Sequence, residues 1–446
     1  MSFPRYPAYK PSGVEWLGEV PGTWSIEKFR HLFEESSEKI EKEVFGDMLS
    51  VSGYRGIELK QYDDENRRRR NEDLVGYRVV RSGQLVVNTM WLNYAGLGFS
   101  ELDGYVSPAY RAYWPRTDED TKYLHYLLRS EHYVKGYTRL LTGVLPNSLQ
   151  ISRDNMMCFP VILPPKEDQL AIATFLDHET AKIDTLIAEQ QRLIELLQEK
   201  RQAVISHAVT NGLNPDAPMK DSGVEWLGEV PEHWRNFRLK ALFALKHGYA
   251  FDGSQFSEEG EYALMTPGNF IETGGFRSKD PEKYYVGSDM PSEFILQGGE
   301  MLIAMTEQAP GLVGTALIAP EGEHYLHNQR LGLVTRLKAE ELDTSFLYWL
   351  MNSPLLKAKV GVTAAGQKVR HTSPQKILDN EICLPPLEEQ RIIAQALFEA
   401  NERCIKLTEN ACTSIQLLVE RRSALISAAV TGQIDVRGLV PEAEAA

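Results

Sequence analysis

The strongest periodic pattern in the chain lies in two long stretches, residues 166–210 and 387–431, which contain neither Pro nor Gly. Apolar and small residues recur in both stretches at alternating spacings of four and three, which is the pattern of a coiled-coil helix. Each stretch predicts a single helix of 45 residues, about 65 Å long at 1.5 Å per residue. The apolar seam positions are Leu176, Ile183, Ile187, Ile194, Leu197 and Val204 in the first stretch and Leu397, Ile415, Leu418 and Leu425 in the second.

The remaining seam positions are small or polar, among them Thr180, Gln190 and Asn401. Polar seam residues fix the register and orientation of a coiled coil rather than add stability. The dipeptides at 211–212 and 431–432 both contain Gly and end the two stretches as helices usually end. We therefore predict that the two helices pair with each other within one chain, running antiparallel.

The chain also repeats itself at the level of letters. Residues 12–21 read SGVEWLGEVP and return unchanged at 222–231, and Trp24 and Trp234 close the two copies. Leu-Pro-Pro at 163–165 precedes Gln169 just as Leu-Pro-Pro at 384–386 precedes Gln390. Between these matching segments the two halves share little sequence. The chain is therefore a tandem duplication in which two similar frames hold two divergent inserts.

The expected fold class is α/β (α+β), a tandem duplication of two mixed α/β domains separated by two long antiparallel coiled-coil helices, with pseudo-two-fold circular symmetry. The predicted segments are a repeat segment at 1–24 that completes the circular symmetry, a first insert domain at 25–160, a long helix at 161–213, a second repeat segment at 214–234, a second insert domain at 235–382, a second long helix at 383–433 and an acidic flexible tail at 434–446.

The inserts predict the same order of elements. A strand–turn–strand at 77–88, a strand at 105–113 and a helix at 121–128 are matched by 293–304, 331–335 and 343–351. Asp343 or Thr344 is the expected N-cap of the last helix.

Composition sets the broad class of protein. At 446 residues the chain is long enough for two to four domains. No stretch approaches the roughly 18 apolar residues that span a bilayer, and residues 1–10 do not have the pattern of a signal peptide. Four scattered cysteines predict reduced thiols and a cytoplasmic location. A net charge of −14 argues mildly against nucleic-acid binding, unless positive charge gathers on one face.

Several loops of the inserts nevertheless carry residues suited to DNA. Arginine runs neutralise phosphates, while Asn, Gln and Arg can read base edges. The candidates in the first insert are Arg67, Arg68, Arg69, Arg70, Asn88, Trp91, Asn93, Tyr94, Tyr110, Arg111, Lys135, Tyr137, Arg139 and Asn147. Those in the second insert are Lys279, Lys283, Tyr285, Thr306, Gln308, Asn328, Gln329, Arg330, Lys368 and Arg370. The arginine run is equally compatible with a solvated loop, and the aromatic residues with a core.

Motifs of catalysis are missing from the sequence. It contains no phosphate-binding loop, no Asn-Pro-Pro-Tyr type methyltransferase tetrapeptide, and no convincing carboxylate–lysine nuclease cluster. His324 and His327 have the spacing of one helical turn, but their neighbours predict a strand and no acidic partner is evident. We expect a non-catalytic chain with no metal site.

The order of these features resembles the specificity subunit of type I restriction-modification systems. The duplicated Ser-Gly-Val-Glu-Trp-Leu-Gly-Glu-Val-Pro, the Leu-Pro-Pro…Gln openings of both helices and the Ala-Val-Ile-Ser-His-Ala-Val-Thr and Ala-Leu-Ile-Ser-Ala-Ala-Val-Thr helix ends carry the resemblance. Residues 79–91 and 104–110 look like part of the family's target-recognition domain. The resemblance covers nearly the whole chain.

The resemblance implies two target-recognition domains that each read one half of a bipartite double-stranded DNA site. It implies that the helices set the gap between the half-sites and dock two methyltransferase (modification) subunits, which can recruit two motor–nuclease (restriction) subunits in a bacterial defence against phage. S-adenosylmethionine, ATP and Mg²⁺ would then be bound by the partner subunits, and none of them by this chain.

Two other hypotheses remain open at this point. A coiled-coil adaptor could join two protein partners without binding DNA, and it would leave no footprint on DNA even at low salt. A self-contained nuclease or methylase with an unrecognised site would act on DNA without partners.

Overall fold

The computed structural model describes residues 3–41, 45–52, 56–61, 74–143, 149–278, 283–287, 290–307, 311–322, 324–364 and 370–439. The chain divides into two compact units. Unit 1 comprises Met1–Gln191 with Cys412–Ala446, and unit 2 comprises Arg192–Ala411. The boundaries between the units fall inside the two long helices, so each unit contains the first part of one helix and the last part of the other.

Short strands and helices precede one long helix in each half of the chain. The first half contains β1 (Tyr9–Pro11), β2 (Glu19–Pro21), β3 (Ser25–Lys28), α1 (Phe29–Leu32), β4 (Phe33–Glu35), β5 (Asp47–Ser52), β6 (Gly56–Leu59), β7 (Arg78–Val80), β8 (Leu85–Asn88), β9 (Leu97–Phe99), β10 (Gly104–Val106), β11 (Tyr110–Pro115), α2 (Thr121–Arg129), α3 (Glu131–Thr138), α4 (Arg153–Met157), β12 (Pro160–Leu163) and α5 (Lys166–Asn211). The second half contains β13 (Met219–Asp221), β14 (Glu229–Pro231), β15 (Arg235–Arg238), β16 (Ala244–His247), β17 (Phe256–Ser257), β18 (Tyr262–Met265), β19 (Tyr284–Tyr285), β20 (Met301–Ala304), β21 (Ala316–Ile318), β22 (Tyr325–His327), β23 (Leu331–Thr335), α6 (Thr344–Met351), α7 (Pro354–Thr363), α8 (Pro374–Leu378), β24 (Glu381–Leu384) and α9 (Leu387–Val430).

The two inserts have one topology despite their unlike sequences. A four-stranded sheet runs β4-β11-β8-β9 in unit 1 and β16-β23-β20-β21 in unit 2. A second sheet shares three strands, β6-β5-β10 and β19-β18-β22, each with one parallel pair. The fourth strand is added at opposite edges, as β7 beside β10 in unit 1 and as β17 beside β19 in unit 2. The divergence between the inserts therefore lies mostly outside this common framework.

The helices of the inserts begin at matching N-caps. Asp120 and Asp343 accept backbone hydrogen bonds at the starts of α2 and α6, as Ser130 and Ser353 do at α3 and α7. A capping oxygen satisfies an N–H that would otherwise have no partner in the first turn. The expected helix at 343–351 is confirmed as α6, with Asp343 as its N-cap.

The repeated SGVEWLGEVP segments pack on the C-terminal ends of the long helices. In unit 2, Gly212 lies against Pro231 and Trp234 of the segment that follows it. In unit 1, Gly432 at the end of α9 lies in the same way against Pro21 and Trp24 of the N-terminal copy. The N-terminal segment thus fills at the end of α9 the place that its duplicate fills at the end of α5, which confirms the circular symmetry.

The long helices run antiparallel within each unit. In unit 1 the hydroxyl of Tyr123 donates to the carbonyls of Ile162, just before α5, and of Val430, at the end of α9. Further along α5, Asp184 pairs with Arg422 at 3.0 Å. In unit 2, Arg201 of α5 donates to the side chain of Asn401 of α9 at 2.6 Å, while the end of α5 lies beside the start of α9. The predicted helical stretches and their antiparallel direction are confirmed.

Burial follows the predicted seam with one exception. Every named seam position of α9 is buried or half-buried, and so are those of α5 from Leu176 to Leu197. Val204 is exposed, and the neighbouring Ile205 is buried instead. The spacing after Arg201 is four rather than three, so the prediction for Val204 was wrong.

Three further expectations from the pattern need correction. Residues 293–296 form a short 3-10 helix and one isolated bridge rather than a strand. Residues 105–113 contain parts of two strands, β10 and β11, because a turn interrupts them. Residues 434–439 are not a flexible tail: Val436 is buried, and the backbone N–H of Asp435 donates to Pro4 at 2.8 Å.

Candidate nucleic-acid interface

In unit 1 the connection from β8 to β9 forms a tight loop that holds two aromatic side chains in solvent. The backbone N–H of Gly96 donates to the carbonyl of Trp91 at 2.9 Å, and that of Asn88 donates to Gly96 at 2.7 Å. A Cβ on Gly96 would lie 2.5 Å from the Trp91 carbonyl oxygen, so only glycine fits this crossing. The backbone thus fixes the loop, and its outer side chains are positioned before any ligand arrives.

Trp91 and Tyr94 are the exposed side chains of this loop, at 55% and 64% of their full surface. Their rings meet edge to face with centroids 5.8 Å apart. Between them, Asn93 has a buried side-chain oxygen with no partner among the described residues. Large aromatic rings left in solvent on a rigid loop are unusual unless they contact a ligand, and they suit stacking on bases or sugars.

Helices α2 and α3 support the loop from below. The short 3-10 helix Leu92–Tyr94 packs against α3, which carries exposed Lys135. Arg129, at the end of α2, donates to the carbonyl of Ala95 at 3.2 Å and also to that of Leu97. Burial lowers the pKa of Arg129 to about 10. The guanidinium group of Arg129 therefore serves to hold the loop in place. Arg139, just after α3, is exposed and has no ion pair among residues the structure describes.

Two other candidates of the first insert lie beside the loop. Asn88 and Tyr110 face each other across β8 and β11. Asn88 is buried, its oxygen accepts from the N–H of Met90 at 3.2 Å, and it hydrogen-bonds the Tyr110 hydroxyl. This pair shapes the root of the loop. Tyr137 needs correction as a DNA contact, because its side chain is fully buried and its hydroxyl donates to Leu128.

Arg111 belongs to a charged cluster that sequence reasoning missed. Glu35 of β4 lies 3.0 Å from Arg111, 2.7 Å from Arg153 and 3.8 Å from Arg78. These residues come from β4, β7, β11 and the start of α4. No local pattern could bring them together, since only the packing of the folded insert does so.

In unit 2 the corresponding connection, after β20, gathers three of the predicted segments. The N–H of Met305 donates to Arg330 at 3.0 Å, and the N–H of Glu307 donates to Arg370 at 2.9 Å. The turn at 328–330 and the segment at 370–372 therefore meet beside residues 305–307. Gln329 and Arg330 are exposed there, while the half-buried Asn328 caps the turn by accepting from the N–H of Arg330.

Two candidates of the second insert are buried and need correction. Thr306 is 3% exposed, and its hydroxyl bonds His371 at 3.1 Å. Tyr285 packs its ring against Phe251 and Phe256. Both were chosen by residue type, which does not reveal that their side chains point into the fold. Lys283 is exposed.

Next to the unit 2 loop lies a cavity of about 480 Å³ lined in part by Arg201, Lys357, Arg370, Glu272 and Glu307. Lys357 donates to the carbonyl of Glu272, and burial lowers its pKa to about 8. Arg201 donates to the carbonyl of Thr273 at 3.0 Å. The side chains of Arg201 and Lys357 thus hold the 272–273 loop against α5 and α7.

Some of the predicted contacts lie outside the described residues. These are Arg67, Arg68, Arg69, Arg70, Asn147, Lys279, Gln308 and Lys368.

The described part of the chain contains no group of three or more potential metal ligands. His327 is buried in β22 while His324 is exposed, so the two imidazoles do not share a site. No helix within the described ranges combines the length and the apolar character needed to cross a membrane.

Comparison with known proteins shows which proteins the chain is similar to. Residues 231–417 match the family model described as type I restriction modification DNA specificity domain. The MjaVIII type I restriction enzyme specificity subunit of Methanocaldococcus jannaschii is 25% identical over 327 residues, which cover 72% of this chain and 72% of that protein.

Two solved structures share the fold. One, described as the structural basis underlying complex assembly and conformational transition of the type I R-M system, has a TM-score of 0.63 at 16% identity and covers 92% of this chain and 98% of its own. The crystal structure of the HsdS subunit from Thermoanaerobacter tengcongensis has a TM-score of 0.50 at 16% identity and covers 93% and 98%. With two insert domains of one topology, two antiparallel helices and a circular repeat, the chain is similar to the specificity subunits of type I restriction-modification systems.

Proposed function

We propose that the insert domains of units 1 and 2, residues 25–160 and 235–382, are target-recognition domains that each read one half of a bipartite double-stranded DNA site. The single observation that supports this proposal is that the two inserts share one topology but have unlike loops at the same position. After β8 the loop presents Trp91 and Tyr94, whereas the connection after β20 is joined by the polar turn Asn328–Arg330 and by Arg370. A common frame with different contact chemistry is what reading two different half-sites requires.

The long helices set the gap between the half-sites in this proposal. Both are continuous through the boundaries between the units, and they are paired within each unit by Asp184–Arg422 and Arg201–Asn401. A continuous paired helix is a stiff connection with a fixed rise of 1.5 Å per residue. It therefore suits a protein that must accept one gap length and reject others.

The same helices offer docking positions for two modification subunits. Leu186 and Leu407 occupy equivalent positions in α5 and α9, as do Leu196 and Leu417, and all four are exposed. Of these four leucines, each unit holds one from each helix. Exposed apolar residues that recur in both copies of a duplication suit two copies of one partner.

The chain is non-catalytic in this proposal and acts in the cytoplasm. Methylation of adenine and any cleavage belong to the modification and restriction subunits, which would bind S-adenosylmethionine, ATP and Mg²⁺. The chain determines which DNA sequence the complex binds. A negative net charge of −14 is compatible with this role because partner subunits contribute to the DNA-binding surface.

Methylation mapping tests the proposal. DNA from cells that express the chain with its cognate methyltransferase is compared with DNA from cells that lack the chain. We expect a motif of two short defined blocks around a fixed unspecified gap, present only with the chain. An unchanged methylome from an assembled complex would contradict the proposal.

A domain-specific variant sharpens this test. The double change Trp91→Ala with Tyr94→Ala removes the aromatic tip from unit 1 and is expected to relax or abolish recognition of one block only. Trp114→Ala is the matched control, since Trp114 is also an exposed aromatic of the first insert but lies in β11 away from the loop. Equal loss in both blocks would contradict the assignment of one half-site to each unit.

A further inference from the structure

The cluster around Glu35 contains more positive than negative charge. Glu35 Oε1 lies 3.0 Å from Arg111 and 3.8 Å from Arg78, and Oε2 accepts from Arg153 Nε at 2.7 Å. One carboxylate is thus surrounded by three guanidinium groups. Asp154 also acts on Arg153 from the same helix, so the cluster keeps at least one net positive charge.

Burial decides which members are structural and which can reach a ligand. The Glu35 side chain is 13% exposed, whereas that of Arg153 is 57% exposed. Burial of Glu35 favours its protonated form, but Arg153, Arg111 and Arg78 outweigh this effect and hold the pKa of the carboxyl below its usual range. The carboxylate is therefore ionised and organises the arginines from beneath, leaving Arg153 at the surface.

The charges of the same cluster act on a buried hydroxyl that has no hydrogen-bond partner among the described residues. Tyr113 is fully buried, and its hydroxyl has no hydrogen-bond partner among the described residues. Burial raises the pKa of Tyr113 to about 12, and the charges of Glu35, Arg111, Arg153 and Arg78 all act on it. A buried polar atom without a partner is costly in a finished structure, which indicates that the electrostatics of this place are not complete in the free chain.

Two members of the cluster, Arg111 and Arg153, are linked through their neighbours to the root of the aromatic loop. Arg111 pairs with Val87 in the strand that leads into the loop. Two residues before Arg153, the N–H of Ile151 donates to the carbonyl of Thr89 at the root of that loop at 3.2 Å. A DNA strand that reached Trp91 would therefore pass close to this cluster.

We propose that Arg153, with Arg111 and Arg78, binds one backbone phosphate of the half-site that unit 1 reads, while Glu35 holds the guanidinium groups in position. This inference rests on the proposed function and adds the contact that fixes the register of unit 1 on the duplex. Guanidinium groups match phosphate oxygens in two-point hydrogen bonds. Arg153 Nε is used for Glu35, and its terminal nitrogens have no partner within the described ranges.

The site belongs to unit 1 alone among the described residues. The position of Glu35 in the repeat corresponds to Leu245 in β16, whose neighbour Lys246 donates to the carbonyl of Glu293. The effect of the cluster is therefore expected on one half-site only.

Salt dependence of DNA binding by the complex with its modification subunits tests the proposal. For Arg153→Gln we expect affinity at low salt to fall roughly ten-fold. We also expect the slope of log affinity against log salt to become shallower by about 1, with the methylated sequence unchanged. Arg116→Gln is the control, because Arg116 is a similarly exposed arginine paired with Glu34 on the same strand as Glu35. It should leave affinity and slope as in the wild type.

Glu35→Gln tests the supporting role of the Glu35 carboxylate separately from the phosphate contact made by the arginines. It removes the negative charge but keeps the shape, and it is expected to lower the melting temperature while the salt slope stays at the wild-type value. A cluster with a structural role only would give an Arg153→Gln complex with a lower melting temperature and an unchanged slope, and that result would overturn the inference. A wild-type complex that does not bind the mapped site would instead overturn the proposed function.

Discussion

Gln390 joins the start of α9 to the start of α6, because its Oε1 accepts a hydrogen bond of 2.9 Å from the backbone N–H of Asp343. Gln169 joins α5 to α2 in the same way, accepting from the N–H of Asp120 at 3.0 Å. Each amide nitrogen also donates at 2.9 Å to the carbonyl of the first proline of its own Leu-Pro-Pro segment. The motif recurs because one buried amide fastens each insert to its long helix.

Replacing this amide should destabilise the unit that contains it. Gln390→Ala leaves the N–H of Asp343 and the carbonyls of Glu341 and Pro385 buried without these partners. We expect the free energy of unfolding to fall by about 2–3 kcal/mol, measured by urea denaturation. Gln395→Ala is the control, since its amide bonds Glu399 at the exposed surface of the same helix. Equal effects of the two variants would contradict a special role for Gln390.

The two long helices show where sequence reasoning succeeds. Their bounds were predicted to within a residue because the seam repeats over many turns and because Gly212 and Gly432 end them. At Val204 the prediction failed. Spacings of three and of four residues after Arg201 both fit the seam pattern, and in the structure Ile205 is the buried residue. A periodic pattern determines which element forms, but packing decides which residue enters the core.

The candidate interface shows the limit of the same reasoning. Trp91 and Tyr94 were identified by residue type alone, and the structure places them in solvent. Tyr137 was chosen on the same ground and is buried, because α3 turns that face toward the core. Glu35 and Arg153 are separated by 118 residues, and such a pair has no local signal. Contacts between segments distant in the chain are therefore the part that the sequence pattern does not reveal.

The two copies of the frame differ at a partly buried hydrogen bond of a tryptophan, and this difference predicts a stabilising change. Trp234 Nε1 donates to Glu389 at 3.3 Å, whereas Trp24 Nε1 is buried without a partner among the described residues. The residue equivalent to Glu389 is Asp168, one methylene shorter and also buried. We expect Asp168→Glu to reach Trp24 and to raise the free energy of unfolding by about 1 kcal/mol.

Urea denaturation measures this change as well. Glu167→Asp is the neighbouring control, because Glu167 is exposed in the same turn and should leave stability unchanged. The reverse variant, Glu389→Asp, should lose a similar amount. If stability stays constant in both Asp168→Glu and Glu389→Asp, the tryptophan–carboxylate bond contributes nothing.

His327 predicts a loss of stability in mild acid. Burial lowers its pKa from 6.5 to about 4, and its Nε2 donates to the carbonyl of Leu331 at 2.9 Å. Between these two pH values the unfolded chain binds a proton that the folded chain does not, so stability is full above about pH 6.5 and falls as pH drops toward 4. We expect about 3 kcal/mol to be lost across this window.

Denaturation curves at pH 7 and pH 5 check this expectation. His327→Gln keeps an N–H donor for Leu331 but has no titrating group, so its stability should depend less on pH than that of the wild type. His324→Gln, at an exposed position three residues earlier, is the control. A pH dependence that is the same in all three proteins would exclude His327 as its source.

Helix length should control the accepted gap. Four residues added to α5 near Gln190, together with four in α9 at the equivalent Ala411, would lengthen both helices by about 6 Å. We expect methylation mapping to give the same two blocks with a gap longer by about one to two base pairs. Substitution of the same two positions without insertion is the control. Altered blocks with an unchanged gap would contradict a spacing role for the helices.

The exposed leucines of the helices should determine how many modification subunits bind. Leu186→Glu with Leu417→Glu places charge on the two equivalent leucine positions of unit 1, and Leu407→Glu with Leu196→Glu does the same in unit 2. A charge buried in an apolar contact is costly unless it is paired, so each double variant is expected to lose one of two bound subunits. Native mass spectrometry measures this ratio. Leu59→Glu, at an exposed leucine of β6, should keep both subunits. Retention of two subunits by both helix variants would place docking elsewhere on the chain.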